Sequence, residues 1–133
     1  ACEVSVDKAS GNFTVKKLTV VTDVGTAVNP DGVKAQVEGG ALFGLSIATK
    51  ELATLKDGKI EQENFDTYTP FRMVDAPEVD AIVVSPGHYP VGAGEPAVLV
   101  VAPALANAIF AASGARVRSL PITPEKVKDA SSV

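Results

Sequence analysis

One cysteine, Cys2, and one histidine, His88, are all that the sequence holds of the residues that most often bind transition metals. A lone cysteine excludes an intrachain disulfide. It also excludes a cysteine-built zinc site or an iron–sulfur cluster held by this chain alone. A lone histidine removes a His-based zinc site. Basic residues are too few and too scattered for a polyanionic partner: Lys and Arg number 12 against 16 Asp and Glu, a formal net charge of −4. Nucleic acid and anionic membrane surfaces are thereby disfavoured. The apolar stretch Val98 to Ala112 is interrupted by Pro103 and Asn107, so no membrane span is expected. Internal repeats, low-complexity blocks, a signal peptide and an initiator Met are missing too. The chain opens directly on a strand pattern, which reads as a fragment or a processed chain.

What is present suffices for one modest domain: 133 residues, 46% of them hydrophobic. Cys2 to Asp7 alternates with Cys2, Val4 and Val6 on one face, and Lys8 to Asn12 is turn chemistry. Phe13 to Asp23 resumes as a β-branched strand, so the two form a hairpin. The run Val20 to Gly25 reads as buried on both faces. Asn29-Pro30-Asp31 is a helix start with Asn as N-cap, Pro at the first helical position and an acid in the first turn. The helix continues through Val33, Val37, Ala41, Leu45 and Ala48 at helical spacing. Gly39, Gly40 and Gly44 weaken it by about 1 kcal/mol each if exposed, which implies close approach by a neighbouring helix, a ligand, or both. Asp57-Gly58 marks a second hairpin between Lys50–Leu55 and Ile60–Phe65. Tyr68 to Pro77 is an irregular connector in which Arg72 reads as structural, and Val79 to Ser85 is a short strand. Ala102 to Ser113 reads as helix, with Leu105, Ala108, Ile109 and Ala112 on one face and Gly114 as its stop. Pro103 either starts this helix or kinks a longer one begun at Pro96. The reading is α+β: hairpins and a mixed sheet packed with two main helices. Residues 1–128 form the lobe and 129–133 a flexible tail.

The stretch that carries chemistry is Gly92-Ala93-Gly94-Glu95-Pro96. Two glycines free the backbone or let a bulky group approach it, and Pro96 suits the first turn of a helix. One carboxylate is thus delivered at a helix entrance, among apolar neighbours. On spacing alone Glu95 is either an ordinary acid at the positive end of a helix or a catalytic base. Upstream, Gln36 alone is a polar residue of the helix, Glu38 a solvated or salt-bridged acid, and His88 a solvated loop histidine outside any site.

Gly92 to Pro96 resembles the Gly-x-Gly-Glu-Pro segment of the molybdenum hydroxylases, the xanthine oxidase and aldehyde oxidoreductase family. Asp23-Val24-Gly25, Val28-Asn29-Pro30, Gln36 to Gly40 and Phe43-Gly44-Leu45 are similar, in order, to that family's strand-to-helix segment. So are the Tyr68…Arg72-Met73…Pro77 stretch and the ending at Arg116 to Val127. The likeness covers nearly the whole chain and is strongest to the isoquinoline 1-oxidoreductase beta-subunit-like and aldehyde oxidoreductase branches. It implies one lobe, the C-terminal part of the molybdopterin-binding large subunit, inactive in isolation. It implies Glu95 as the base that takes a proton from the water-derived oxygen. Gln36 would hydrogen-bond the molybdopterin, with Gly94 beside it at the cofactor and no metal ligand from this chain. The implied substrate is an aldehyde or an N-heterocyclic carbon. The cofactor is molybdopterin, cytosine dinucleotide form included, with iron–sulfur clusters on a partner subunit or domain. The remainder of the molybdopterin-binding subunit would be a further partner, and the compartment the cytoplasm, with the periplasm open. The competing reading is a non-catalytic α+β domain for assembly or ligand binding.

Overall fold

A computed structural model describes residues 1–131. Strands β1 (Cys2–Val6) and β2 (Phe13–Asp23) form the antiparallel hairpin expected from their alternation. The pairing register shifts between Glu3 and Val4, so that β2 carries one residue more than its partner. The shift lets Phe13 and Val15 and then Leu18 and Val20 pack with the core although their spacing breaks strict alternation. β2 pairs on its other side with β5 (Glu78–Val84), in parallel, giving a mixed sheet ordered β1-β2-β5. Lys17 and Glu78, opposite each other in this register, form an ion pair at 2.8 Å.

Between the parallel strands runs α1 (Pro30–Thr49), as its start signals require: the Asn29 side chain accepts from the Gly32 N–H at 3.0 Å. α2 (Pro96–Ser113) follows β5 and ends on Gly114 at φ 84°. The two helices pack side by side on one face of the sheet, α1 over β5 and α2 over β1. Leu18, Leu45, Leu105 and Ile109 are almost fully buried between these layers. Each such side chain contributes about 1.5–3 kcal/mol by leaving water. Only one face of the sheet is covered. Val21, expected to be buried, is 63% exposed, and its register partner Ile82 is 45% exposed. A β-branched run cannot distinguish a strand covered on both faces from one covered on a single face.

Three further expectations are corrected. The second hairpin shrinks to β3 (Leu55–Lys56) and β4 (Lys59–Ile60), two residues each and all exposed, since no third strand or core lies beneath it. α2 runs without a break from Pro96 through Pro103 and Asn107, and by length and composition alone it is apolar enough to cross a membrane. Pro103 leaves the Leu99 carbonyl without its usual donor, on a face where both residues are exposed. The opposite stripe, Ala97, Val101, Leu105 and Ile109, is buried, whereas Ala112 is exposed. Finally, α3 (Pro124–Ser131) includes Asp129, Ala130 and Ser131, expected in a flexible tail, and Ala130 packs against the core. Ser132 and Val133 lie outside the described residues.

Helix contact explains two of the three α1 glycines. A Cβ on Gly44 would stand 2.6 Å from the Val98 carbonyl, and one on Gly40 3.2 Å from the Ala97 Cβ. Gly39 faces open space. Gly44→Ala should therefore destabilise the protein by about 1–3 kcal/mol despite its better helix propensity. Gly39→Ala should stabilise it by up to about 1 kcal/mol. Denaturant unfolding of the two variants beside the wild type checks the contrast, and equal midpoints would overturn the contact.

Candidate functional site

β2 and β5 are parallel neighbours, so their carboxyl ends, Asp23 and Val84, lie side by side. Loops leaving that edge of the sheet lead to both long helices, and in open α/β arrangements this edge is where ligands bind. Here the two loops are joined directly. The Val91 N–H donates to the Val24 carbonyl at 3.1 Å. Thr26 donates to the His88 carbonyl from its N–H at 2.9 Å and its hydroxyl at 2.8 Å. The Ala27 N–H donates to Ser85 Oγ at 3.0 Å. Gly25, at φ 68°, lies so close to Tyr89 that a Cβ would overlap the Tyr89 carbonyl.

The joined loops and the first turns of α1 enclose a pocket of about 370 Å3, lined by Val24, Thr26 to Asn29, Gly32, Val33, Gln36, Pro90, Val91 and Ala93. No acidic side chain lines it. Gln36 is exposed on the rim and offers both a donor and an acceptor. Gly39 lies one turn further along α1, with nothing within 4 Å of where its Cβ would be.

Glu95 caps α2 through its backbone: its carbonyl accepts from the Val98 N–H at 3.0 Å, and its side chain makes no capping bond. Glu95 is exposed, a correction to the apolar surroundings expected from its neighbours. The apolar residues after it turn their buried stripe toward α1 and leave the helix entrance open. Neither Gly92 nor Gly94 has positive φ. Both have open space where a Cβ would be, so of the two uses expected for them only close approach applies. The Gly94 carbonyl lies over Gly40 of α1. The structure thus brings Gln36 and the Gly92–Pro96 loop to one region, with Ala93 in the pocket wall and Glu95 outside it. Glu38 is salt-bridged to Lys34 at 3.9 Å.

His88 was missed. Its Nε2 lies 3.3 Å from Asp23 Oδ1 and its Nδ1 3.2 Å from the Tyr89 carbonyl. The Tyr89 carbonyl and then the Asp23 carboxylate raise its pKa above the ordinary 6.5. The Gly25 N–H, followed by His88, lowers that of Asp23. The two residues are 65 positions apart, so local sequence held no signal for the pairing.

This is an α+β domain with a pocket at the carboxyl ends of two parallel strands, open to a polar ligand. The model of the molybdopterin cofactor-binding domain matches residues 1–77, more than half of the chain. The chain belongs to that family, and with it to the molybdenum hydroxylases. Over 125 residues it is 46% identical to a membrane-bound aldehyde dehydrogenase of Gluconacetobacter polyoxogenes that is named for pyrroloquinoline quinone; the match covers 94% of this chain and 16% of that protein. It is 34% identical over 122 residues to the isoquinoline 1-oxidoreductase subunit beta of Brevundimonas diminuta, covering 92% and 16%. The aldehyde oxidoreductase structure of Desulfovibrio gigas superposes with a TM-score of 0.82 at 30% identity, covering 99% of this chain and 15% of that one. The chain therefore spans only a small part of the length of these relatives.

Asn29 both caps α1 and lines the pocket. Asn29→Ala should cost about 1 kcal/mol and Asn29→Ser close to nothing. Denaturant unfolding measures the cost, and faster exchange of the Gly32 amide in the alanine variant alone would place it at the cap.

Proposed function

We propose that this chain serves as one lobe of a molybdopterin-dependent oxidoreductase that hydroxylates an aldehyde or an N-heterocyclic carbon with water-derived oxygen. The observation that carries this reading is the meeting of Gln36 and the Gly92–Pro96 loop at one edge of the sheet, beside a pocket without acidic lining. The residues fit the family's cofactor: an amide that donates and accepts, and open space at Gly39, Gly92 and Gly94 that side chains would fill. The cofactor, here including its cytosine dinucleotide form, supplies the centre that accepts two electrons from the substrate.

The protein's own residues have simpler tasks. Gln36 holds the cofactor through its side-chain amide. Gly94 gives it room at the loop, and Glu95 takes the proton of the attacking water-derived oxygen on a carboxylate oxygen. Among the described residues that carboxylate has no hydrogen-bond or ion-pair partner, which leaves it free to accept. No group of three or more His, Cys, Asp or Glu that could hold a metal occurs among the described residues. Iron–sulfur clusters on a partner subunit or domain would supply the outlet for the electrons, and the rest of the molybdopterin-binding subunit would complete the site.

The test uses the holoenzyme that contains this chain. Glu95→Gln should lower kcat/KM by roughly 10²–10⁴-fold, the usual share of a general base, with molybdenum and pterin content unchanged. Gln36→Ala should lower cofactor retention by up to about tenfold, the worth of one polar hydrogen bond. Full activity in Glu95→Gln would remove the base assignment. A complete assembly without molybdenum would favour a non-catalytic binding domain. Bound quinone in place of pterin would favour the cofactor for which the Gluconacetobacter relative is named.

A further inference from the structure

We propose that His88 is a positioning residue: as an imidazolium it clamps the loop that carries Glu95 to the end of β2, and as neutral imidazole it releases part of that clamp. The proposal rests on the reading of Glu95 and Gln36 as site residues, but its geometry stands by itself.

Both ring nitrogens face acceptors. Nδ1 is 3.2 Å from the Tyr89 carbonyl oxygen, and Nε2 is 3.3 and 3.4 Å from the two Asp23 carboxylate oxygens. A neutral imidazole carries one N–H and can satisfy one of these acceptors, leaving lone pair against lone pair at the other. The imidazolium donates to both. The remaining links between the loops come from backbone amides, Thr26 and Ser85, none of which titrates near neutrality. Asp23 is the charged group that acts on the ring from β2. Tyr89, on the loop itself, contributes its carbonyl and is otherwise 88% exposed. Gly25 admits the ring and the Tyr89 carbonyl at this distance because it lacks a Cβ.

The clamp bears on the site through the residues directly after His88. Val91, bonded to Val24, and Ala93 form the pocket wall opposite Gln36, and Glu95 comes two residues later. The pKa of His88 is raised on folding, so its share of the clamp is complete below 6.5 and is lost as pH rises through the folded value. That of Asp23 is lowered, so its share is complete above 3.8 and is lost as pH falls through the folded value. The clamp is closed between these limits.

Hydrogen exchange of the holoenzyme tests this without reference to turnover. Protection factors, which divide out the intrinsic pH dependence of exchange, are followed at Val91 and Thr26 from about pH 5.5 to 8.5, the range in which a histidine changes charge. Wild type should lose roughly tenfold protection at both amides as pH rises, as expected for one charge-assisted hydrogen bond. His88→Gln should show low protection that does not vary with pH. Asp23→Asn, which keeps an oxygen for the Gly25 N–H, should shift the loss to lower pH. The kcat/KM profile of wild type should carry the same limb and that of His88→Gln should lack it. Flat protection in wild type, or the same pH dependence in both variants, would overturn the clamp. If the clamp titrates as described while Glu95→Gln retains full activity, the positioning of the loop stands and the base assignment falls.

Discussion

The separation of α1 and α2 is the dimension on which everything at the site depends. Gly44 lets the Val98 backbone approach to a distance no side chain would permit, and Gly40 lets the Ala97 side chain pack more tightly than an alanine there would allow without a small shift. Because α1 continues from β2 and α2 from β5, this contact and the parallel strand pairing fix each other. With the strands side by side, the helices begin at the same edge of the sheet. With the helices in contact, Gln36 in the second turn of one lies near the entrance of the other. The magnitudes support this ranking. Each exposed hydrogen bond between the loops is worth about 0.5–1.5 kcal/mol, whereas Leu45, Leu105 and Ile109 contribute about 1.5–3 kcal/mol apiece. Packing therefore sets the coarse position of the loop, and the hydrogen bonds around His88 refine it.

Local chemistry made much of this legible beforehand. Asn29-Pro30-Asp31 announced α1 because each residue there satisfies or avoids a backbone group that a helix start leaves open. The hairpin of β1 and β2 followed from alternation and turn residues. Thr123-Pro124-Glu125 carries the same order of cap, proline and acid, and Lys126 N–H reaches Thr123 Oγ1 at 3.4 Å. These residues mark the start of α3 locally, although the resemblance of the ending does not by itself specify a helix. Other features had no local signal. Val21 and Val20 look alike in sequence, and which is covered depends on helices that lie on one side of the sheet. The pairing of Asp23 with His88 depends on β2 meeting β5, which no short window contains. At the candidate site, the Glu95 loop and Gln36 were identified through resemblance, while their nearness and the exposure of Glu95 required the fold.

The site is one-sided. This chain offers an amide, open backbone and one unpaired carboxylate, but among its described residues no cluster able to ligate a metal. The exposed Glu95 carboxylate meets little opposition here: the pocket beside it has no acidic lining, and its own helix begins directly behind it. The outward face of the sheet is different in character. Val21 and Ile82 are both exposed there, while Lys17, Glu78 and Asp80 form ion pairs at the other end of the same strands.

The parallel pairing of β2 with β5 has a consequence for how the pocket comes into being. Its two walls come from segments about 60 residues apart, as the 62-residue separation of Thr26 and His88 shows. Closing so long a loop carries an entropic cost that grows only slowly with its length, and the strand pairing and helix contact on either side of it offset that cost. Neither wall forms a pocket alone: Gln36 stands on one, and Val91 and Ala93 on the other. A ligand that requires both walls is therefore a reporter of the intact pairing of β2 with β5.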